Sequence, residues 1–133
     1  MTIEELHKEW ERRNKGKVAN SEHDLQVSCV NWFRIVYRQY SHLLMTIPNG
    51  GYRTKTTARI MRAEGQLSGV PDMFLAIARC GYHGLWIEMK NGKAGRLSDN
   101  QKDMIVRLEK EGYACRICRT REEFESTINS YLC

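Results

Sequence analysis

The sequence predicts an α/β domain with a mixed central sheet of about four strands flanked by helices. Three observations predict this class. The chain has 133 residues, 41% of them hydrophobic, which suits one domain with a single core. Helical patterns, several of them with capping signals, recur along the chain. Short apolar runs typical of strands lie between them, at residues 43–47, 73–78, 85–90 and 113–118.

Residues 1–20 form an N-terminal segment that we separate from a domain at residues 21–133. Ile3, Leu6 and Trp10 have helical spacing, which predicts a short helix. The sequence leaves open whether this helix packs on the core, on a second subunit or on nothing. A dimer interface is one role that the segment could fill.

The next helix is expected to begin after Ser21 and to run to about Tyr40. Ser21 fits an N-cap, and Asp24 three residues later completes a variant of the capping box. At about 100° per residue, one side of this helix collects Glu22, Gln26, Cys29, Phe33, Val36, Tyr37 and Tyr40. The helix dipole alone commonly explains an acid in the first turn. The inward direction of Glu22, however, calls for a partner such as a shared metal ion.

A basic segment follows the first β-like run, which Pro48 stops and Asn49-Gly50 turns. We expect residues 52–62 to form a helix that ends at Gly65. Its cations are Arg53, Lys55, Arg59 and Arg62. Either they form a solvated helix face, or they contact phosphates and position a duplex without reading its bases.

The central stretch of the chain is a predicted hairpin over residues 72–90. Val70-Pro71 fixes an extended backbone before Asp72, and the apolar run that follows is typical of a strand covered on both faces. After a Gly-rich turn, the second strand ends in Glu88-Met89-Lys90. Because side chains alternate along a strand, Glu88 and Lys90 face the same side. Pairing of the two strands brings Asp72 beside Glu88.

This hairpin end would gather two carboxylates and an ammonium group in a small volume. Adjacent carboxylates repel, and a partly buried lysine resists being charged. A divalent cation resolves the conflict, because Mg²⁺ takes one or two carboxylates and completes its shell with water and phosphate oxygens. Lys90 could then orient or deprotonate a water, or stabilise charge that develops on a phosphate.

A flexible basic loop, residues 91–96, follows the second strand and carries Lys93 and Arg96. Ser98 and Gln101 then form a capping box that opens a helix to about Glu111. Capping is sufficient to explain Gln101. A helix N-terminus near Lys90 would nevertheless also offer free N–H groups to a phosphate.

A last strand at residues 113–118 and a final helix complete the order of elements. Gly112 closes the preceding helix, and Thr120 with Glu123 caps the final one. The apolar side of the final helix carries Phe124, Ile128 and Tyr131.

The net charge of +5 and the pI near 9.0 suit a polyanionic partner. No apolar run reaches the roughly 20 residues that span a bilayer, and no secretion signal opens the chain, so we expect a cytoplasmic protein without membrane contact. The five cysteines are an odd number, which argues against a disulfide framework. Cys115 and Cys118 lack a second pair or a histidine at zinc spacing, so we interpret them as structural thiols.

Pro71-Asp72 together with Glu88-Met89-Lys90 resembles the motif of the PD-(D/E)xK nuclease superfamily. The wider pattern, over about residues 21–118, is similar to the VRR-NUC family within that superfamily. The positions that carry this likeness are Glu22, Asn49-Gly50, Gly65, Gly69-Val70-Pro71-Asp72, Glu88-Met89-Lys90, Leu97-Ser98 with Gln101, and Gly112. Their order and spacing are more specific than the short nuclease motif.

The resemblance implies a restriction-endonuclease-like fold and DNA phosphodiester cleavage that depends on Mg²⁺ or Mn²⁺. The implied metal ligands are Glu22, Asp72, Glu88 and the carbonyl of Met89. By the same likeness Lys90 handles the nucleophilic water, and Gln101 assists beside it.

The chain also resembles the stand-alone members of this family in bacteria and their viruses, which are similar to Holliday-junction resolvases. One small site cuts one strand, so symmetric incision of a junction needs two sites related by a two-fold axis, and we expect a homodimer. It would act in the cytoplasm of a bacterium or of a virus's host. Three alternatives stay open: a flap or nicking nuclease of the same fold, a non-catalytic basic nucleic-acid-binding module, and a structural interaction protein.

Overall fold

A computed structural model describes residues 2–14, 21–48 and 54–133 of the chain. The helices are α1 (Ile3–Asn14), α2 (Glu22–Val36), α3 (Lys55–Ala63), α4 (Asp99–Lys110) and α5 (Arg121–Leu132), and a 3-10 helix covers Arg38–Leu43. The strands are β1 (Leu44–Thr46), β2 (Met73–Leu75), β3 (Leu85–Met89) and β4 (Ala114–Cys118). In the part of the chain that is described, no helix has both the length and the apolar character needed to cross a bilayer.

The four strands form one mixed sheet in the order β1-β2-β3-β4. Strand β2 is antiparallel to both β1 and β3, whereas β4 runs parallel to β3, to which the chain returns through α4. This arrangement confirms the predicted fold class, an α/β domain with a mixed sheet of four strands and flanking helices.

Residues 72–90 pair as predicted, although the pairing is shorter than the apolar run suggested. Met73 lies opposite Ile87 and Leu75 opposite Leu85, so the same register extended by one residue sets Asp72 opposite Glu88. Strand β2 ends at Leu75, and beyond it the Ala76 N–H donates to the Leu43 carbonyl at 2.9 Å, which continues the register with β1.

One face of the sheet forms the apolar core with α1, α2 and α5. Its strand residues are fully buried and alternate with the residues of the other face: Met73, Leu75, Leu85, Ile87 and Met89. The thiol of Cys118 contacts the Thr127 hydroxyl of α5 on the core side, at 3.6 Å. On the opposite side the thiol of Cys115 lies 4.0 Å from the Ile105 carbonyl of α4. The sheet is thus sandwiched, with α4 on the face that carries Glu88.

Helix α2 begins as predicted, with the Ser21 hydroxyl accepting from the Asp24 N–H, but its end and its buried face differ. It ends at Val36 rather than near Tyr40, where the 3-10 helix has taken over. Its buried residues are Leu25, Cys29, Trp32, Phe33 and Val36. Two of these were missing from the predicted stripe, which instead included the exposed Glu22 and the half-buried Gln26 and Tyr40.

Helix α1 packs on the same core. Leu6 and Trp10 are buried, whereas Ile3 is 44% exposed. The indole N–H of Trp32 donates to Nδ1 of His7 at 2.9 Å, and the Arg121 guanidinium stacks 4.1 Å from the centre of the Trp10 ring. Of the three possibilities left open for this helix, the structure selects packing on the core for Leu6 and Trp10. A dimer role for the segment remains a prediction.

Candidate active site

The site lies at one end of the sheet, where β2 begins and β3 ends. Pro71 has no N–H to donate and leads the chain in, so Asp72 is the first residue that can pair with β3. Its Oδ2 accepts the Met89 N–H at 2.7 Å, taking the place of a backbone carbonyl in the ladder. Because the N–H and C=O of a strand residue point to the same side, the Met89 carbonyl also lies on the Asp72 side.

Glu88 is the buried acid of the site, with only 3% of its surface exposed. Its Oε1 accepts from Nε2 of Gln101 at 2.9 Å and lies 3.6 Å from Nζ of Lys90. Its Oε2 is buried and lacks a hydrogen-bond partner among the described residues. Burial and, after it, the charge of Asp72 raise the pKa of Glu88 to about 8, although Lys90 opposes the shift. Its charged form therefore needs more positive charge than the protein supplies.

Gln101 performs two roles with one side chain. The capping box is present as predicted: the Ser98 hydroxyl accepts from the Gln101 N–H, and Oε1 of Gln101 accepts from the Ser98 N–H at 2.9 Å. This leaves the amide Nε2 to donate to Glu88. The first turn of α4 therefore fixes the orientation of the Glu88 carboxyl group.

A cleft of about 430 Å³ opens over this hairpin end. It is lined by α2, α3, the 66–70 loop, both strand ends and the start of α4, and six of its lining residues belong to the predicted site: Glu22, Arg62, Asp72, Glu88, Lys90 and Gln101. Segments that are far apart in the chain therefore meet in one concave surface.

The predicted role of Glu22 requires one correction. It was expected to be a buried acid at the head of the apolar stripe of α2, yet its side chain is exposed at the rim of the cleft. Glu22 lines the cleft, but it belongs to the first turn of α2, where residues 22–24 are exposed and the first buried residue is Leu25. From there its charge adds a smaller increase to the pKa of Glu88.

Asp72 and Glu88 fit a hard divalent cation. Their carboxyls are adjacent, no described residue donates a hydrogen bond to Oε2 of Glu88, and the Met89 carbonyl lies on the same side. Within residues 2–14, 21–48 and 54–133, however, no group of three or more Asp, Glu, His or Cys side chains is gathered closely enough to hold a metal ion. A cation would therefore be held by the two hairpin carboxylates, with Glu22 at a distance.

The predicted phosphate-contacting residues lie on α3 and in the loop after β3, apart from one residue that the structure does not describe. Lys55, Arg59 and Arg62 follow one another at i, i+4 and i+7, so they share one face of α3, and Arg62 places this face at the cleft. Lys93 and Arg96 are exposed in the loop after β3. Arg53 lies outside the described residues.

Sequence reasoning missed several residues around the cleft. The Ser68 hydroxyl accepts from Nδ2 of Asn100 at 3.1 Å, and a Cβ on Gly69 would lie only 2.5 Å from the Asn100 carbonyl oxygen. The 66–70 loop thus packs closely on the start of α4, which is consistent with the glycine at that position. Arg119 contacts the 91–96 loop, and only the register of β3 with β4 could have pointed to it.

Comparisons with known proteins agree on one family. The family profile described as the VRR-NUC domain matches residues 5–122 of the chain. A solved structure described as a VRR_NUC domain protein is 28% identical and superposes with a TM-score of 0.72, covering 84% of this chain and 87% of that one. No curated protein matches the chain.

Proposed function

The chain belongs to the VRR-NUC family, a PD-(D/E)xK nuclease type, and on that basis we propose that it is a metal-dependent endonuclease that hydrolyses DNA phosphodiester bonds. One observation supports the chemistry above all. Asp72 and Glu88 stand side by side in the cleft, with Lys90 next to them, and one buried oxygen of Glu88 accepts no hydrogen bond within the described part of the chain.

The residues of α3 would bind the substrate. Lys55, Arg59 and Arg62 present three cations about one helical turn apart along the face that borders the cleft. Such a row follows a phosphate backbone and positions it without reading the bases. Lys93 and Arg96 would extend this contact on the other side of the hairpin end.

Asp72, Glu88 and the Met89 carbonyl would hold Mg²⁺ or Mn²⁺. When bound, the cation supplies Lewis-acid catalysis and balances phosphate charge. The hydrogen bond from the Met89 N–H fixes one oxygen of Asp72, and Gln101 fixes one oxygen of Glu88. Each carboxylate thus keeps its other oxygen for the cation.

Lys90 would position the attacking water. Its ammonium has three N–H donors on a flexible stem and lies 3.6 Å from Glu88, within reach of a water in the same cleft. We expect it to hold that water in line with the departing sugar oxygen and to stabilise charge on the phosphate in the transition state. Gln101 would act through Glu88, by fixing the direction of its carboxyl group.

The finer proposal is a homodimer with preference for branched DNA, similar to a Holliday-junction resolvase. The physical support is that one cleft of this size acts on one strand, so paired incision needs a second copy related by a two-fold axis. A monomer in light scattering at micromolar concentration, with full activity on a junction, would contradict this part. Cytoplasmic location, in a bacterium or in the host of a virus, is likewise a prediction.

The test of the proposed function is a cleavage assay on purified protein. Four labelled DNAs, a four-way junction, a flap, a nicked duplex and a linear duplex, are incubated with Mg²⁺, with Mn²⁺ or with EDTA. We expect cleavage in either metal, none in EDTA, and the fastest cutting on the junction. Fastest cutting of flap or nicked DNA would favour those nuclease types, and binding without cleavage under all conditions would favour a non-catalytic binding module.

A further inference from the structure

We infer that Arg119 is a positioning residue, whose guanidinium holds the 91–96 loop against Lys90 and so keeps the lysine amine in the cleft. The inference rests on the proposed nuclease function and adds to it a residue that directly follows β4, the strand beside β3. Arg119 itself does not line the cleft. Its role is therefore to organise Lys90 rather than to touch DNA.

The guanidinium bonds to both ends of the loop. Nη1 of Arg119 donates to the Gly92 carbonyl at 3.0 Å and to the Gly95 carbonyl at 2.5 Å. Charge-assisted bonds of this kind are stronger than bonds between neutral groups. The loop consists mostly of glycines and polar residues, so it has little apolar surface of its own to bury. The two bonds from Arg119 hold it against the end of β4.

Arg119 is held firmly on its own side. Its backbone N–H donates to Oε2 of Glu123 at 2.6 Å, in the first turn of α5, and Thr120 caps the same helix. Its neighbour Cys118 accepts the Lys90 N–H at 3.0 Å. The anchor of the loop is therefore the rigid junction of β4 and α5, which also holds the backbone of Lys90.

The loop in turn packs on the stem of Lys90. A Cβ on Gly95 would lie 3.1 Å from Cβ of Lys90 and 3.4 Å from its Cδ, so the glycine backbone covers the lysine methylenes. Only 13% of the Lys90 side chain is exposed. Because a freely rotating lysine side chain loses rotamer entropy when it is fixed, a stem that is already packed holds the amine near its position in advance.

The register explains why the loop lies where it does. Met89 pairs with Cys118, so the next pair along the parallel strands is Lys90 with Arg119, two cations on the same face of the sheet. Directly opposed like charges are unfavourable. The two loop carbonyls bind Nη1 of Arg119, and the Lys90 amine lies beside Glu88.

The experiment compares Arg119→Met with Arg116→Met. Arg116 is three residues earlier, on β4, is exposed, and donates to the carbonyl of the preceding Cys115, so its loss removes the same charge without touching the loop. Three quantities are measured: amide hydrogen exchange in residues 91–96, kcat on cleavable DNA, and the Kd for DNA in EDTA.

For Arg119→Met we expect about 10-fold faster exchange confined to the loop, a fall in kcat of about 10-fold or more, and a Kd within about 3-fold of wild type. Arg116→Met should leave all three unchanged. Methylguanidinium should restore part of the activity of Arg119→Ala and none to Lys90→Ala. Wild-type exchange or wild-type kcat in Arg119→Met would overturn the inference.

Two further variants keep the test decisive. Gly95→Ala crowds the Lys90 stem while leaving Arg119 intact, and it should lower kcat without speeding loop exchange as strongly. Arg119→Lys keeps the charge and serves if the methionine variant does not fold; its expected effects lie between those of wild type and Arg119→Met. If wild type cuts no DNA, the nuclease proposal fails on its own, and loop exchange still decides whether Arg119 holds the loop.

Discussion

Gln101 donates a hydrogen bond from Nε2 to Oε1 of Glu88 over 2.9 Å, while its own Oε1 accepts the Ser98 N–H that begins α4. The same amide therefore stabilises a helix and orients the buried acid of the cleft. These two roles can be separated by experiment, because α1 carries a comparable capping box without a catalytic neighbour. There Thr2 and Glu5 exchange the same pair of bonds.

Gln101→Ala is expected to lose both stability and activity. Loss of a reciprocal cap costs about 0.5–1 kcal/mol of unfolding free energy, and a freely rotating Glu88 should lower kcat by about 10-fold or more. The matched control is Glu5→Ala, which should lose similar stability and keep full activity. Thermal denaturation and single-turnover cleavage measure the two effects. Equal activity of the two variants would show that Gln101 is only a cap.

Lys90→Ala is expected to abolish cleavage while DNA binding stays nearly intact. The amine lies in the cleft beside Glu88, so its loss removes a group that acts on the water and on the phosphate, worth on the order of 10²-fold or more in rate. Lys110→Ala, at the exposed end of α4, removes one charge away from the cleft and serves as control. Cleavage of a four-way junction by Lys90→Ala at the wild-type rate would remove the mechanism.

The stability of the protein in EDTA should depend on pH through Glu88. Its pKa is raised from 4.5 to about 8, chiefly by burial, so between these values the folded state holds a proton that the unfolded chain has released. The unfolding free energy should therefore fall as pH rises from about 4.5 to 8. The fall is at most about 1.4 kcal/mol for each pH unit. Glu88→Gln should be more stable at pH 8 and lose this dependence.

Mg²⁺ should reverse this loss of stability at high pH. A cation binds the deprotonated carboxyl, so its affinity increases as pH rises toward 8, and it should raise the wild-type melting temperature more at pH 8 than at pH 6. Melting curves of wild type and Glu88→Gln, with EDTA or Mg²⁺ at pH 5 to 9, measure both effects. Parallel curves for the two proteins would mean that Glu88 is charged in the metal-free state.

Removing two cations from α3 should weaken DNA binding in a salt-dependent way. Arg59→Gln with Arg62→Gln takes two charges from the face beside the cleft, and each lost phosphate contact lowers the slope of log K against log salt by about 0.9. The control pair is Lys8→Gln with Arg12→Gln on α1, which changes the net charge equally. Fluorescence anisotropy across a salt series gives the slopes. Identical slopes would place the DNA elsewhere on the protein.

Short-range patterns in the sequence were enough to predict the order of the helices and strands. Periodicity, caps and turns predicted the mixed sheet, the pairing that sets Asp72 opposite Glu88, and the Ser98–Gln101 capping box. These features depend on residues that are close together in the chain, or on the alternation of side chains along a strand. Both can be read from the order of residue types. The roles assigned to the site residues remain predictions.

The contacts between residues that are distant in the chain became visible in the folded domain alone. It buried Leu6 and Trp10 in the chain's own core, left Glu22 exposed at the rim, and joined Arg119 to the loop beside Lys90. Such contacts depend on how helices cross the sheet and on where a loop comes to rest. Packing across the whole domain sets these positions, and no short stretch of sequence encodes them.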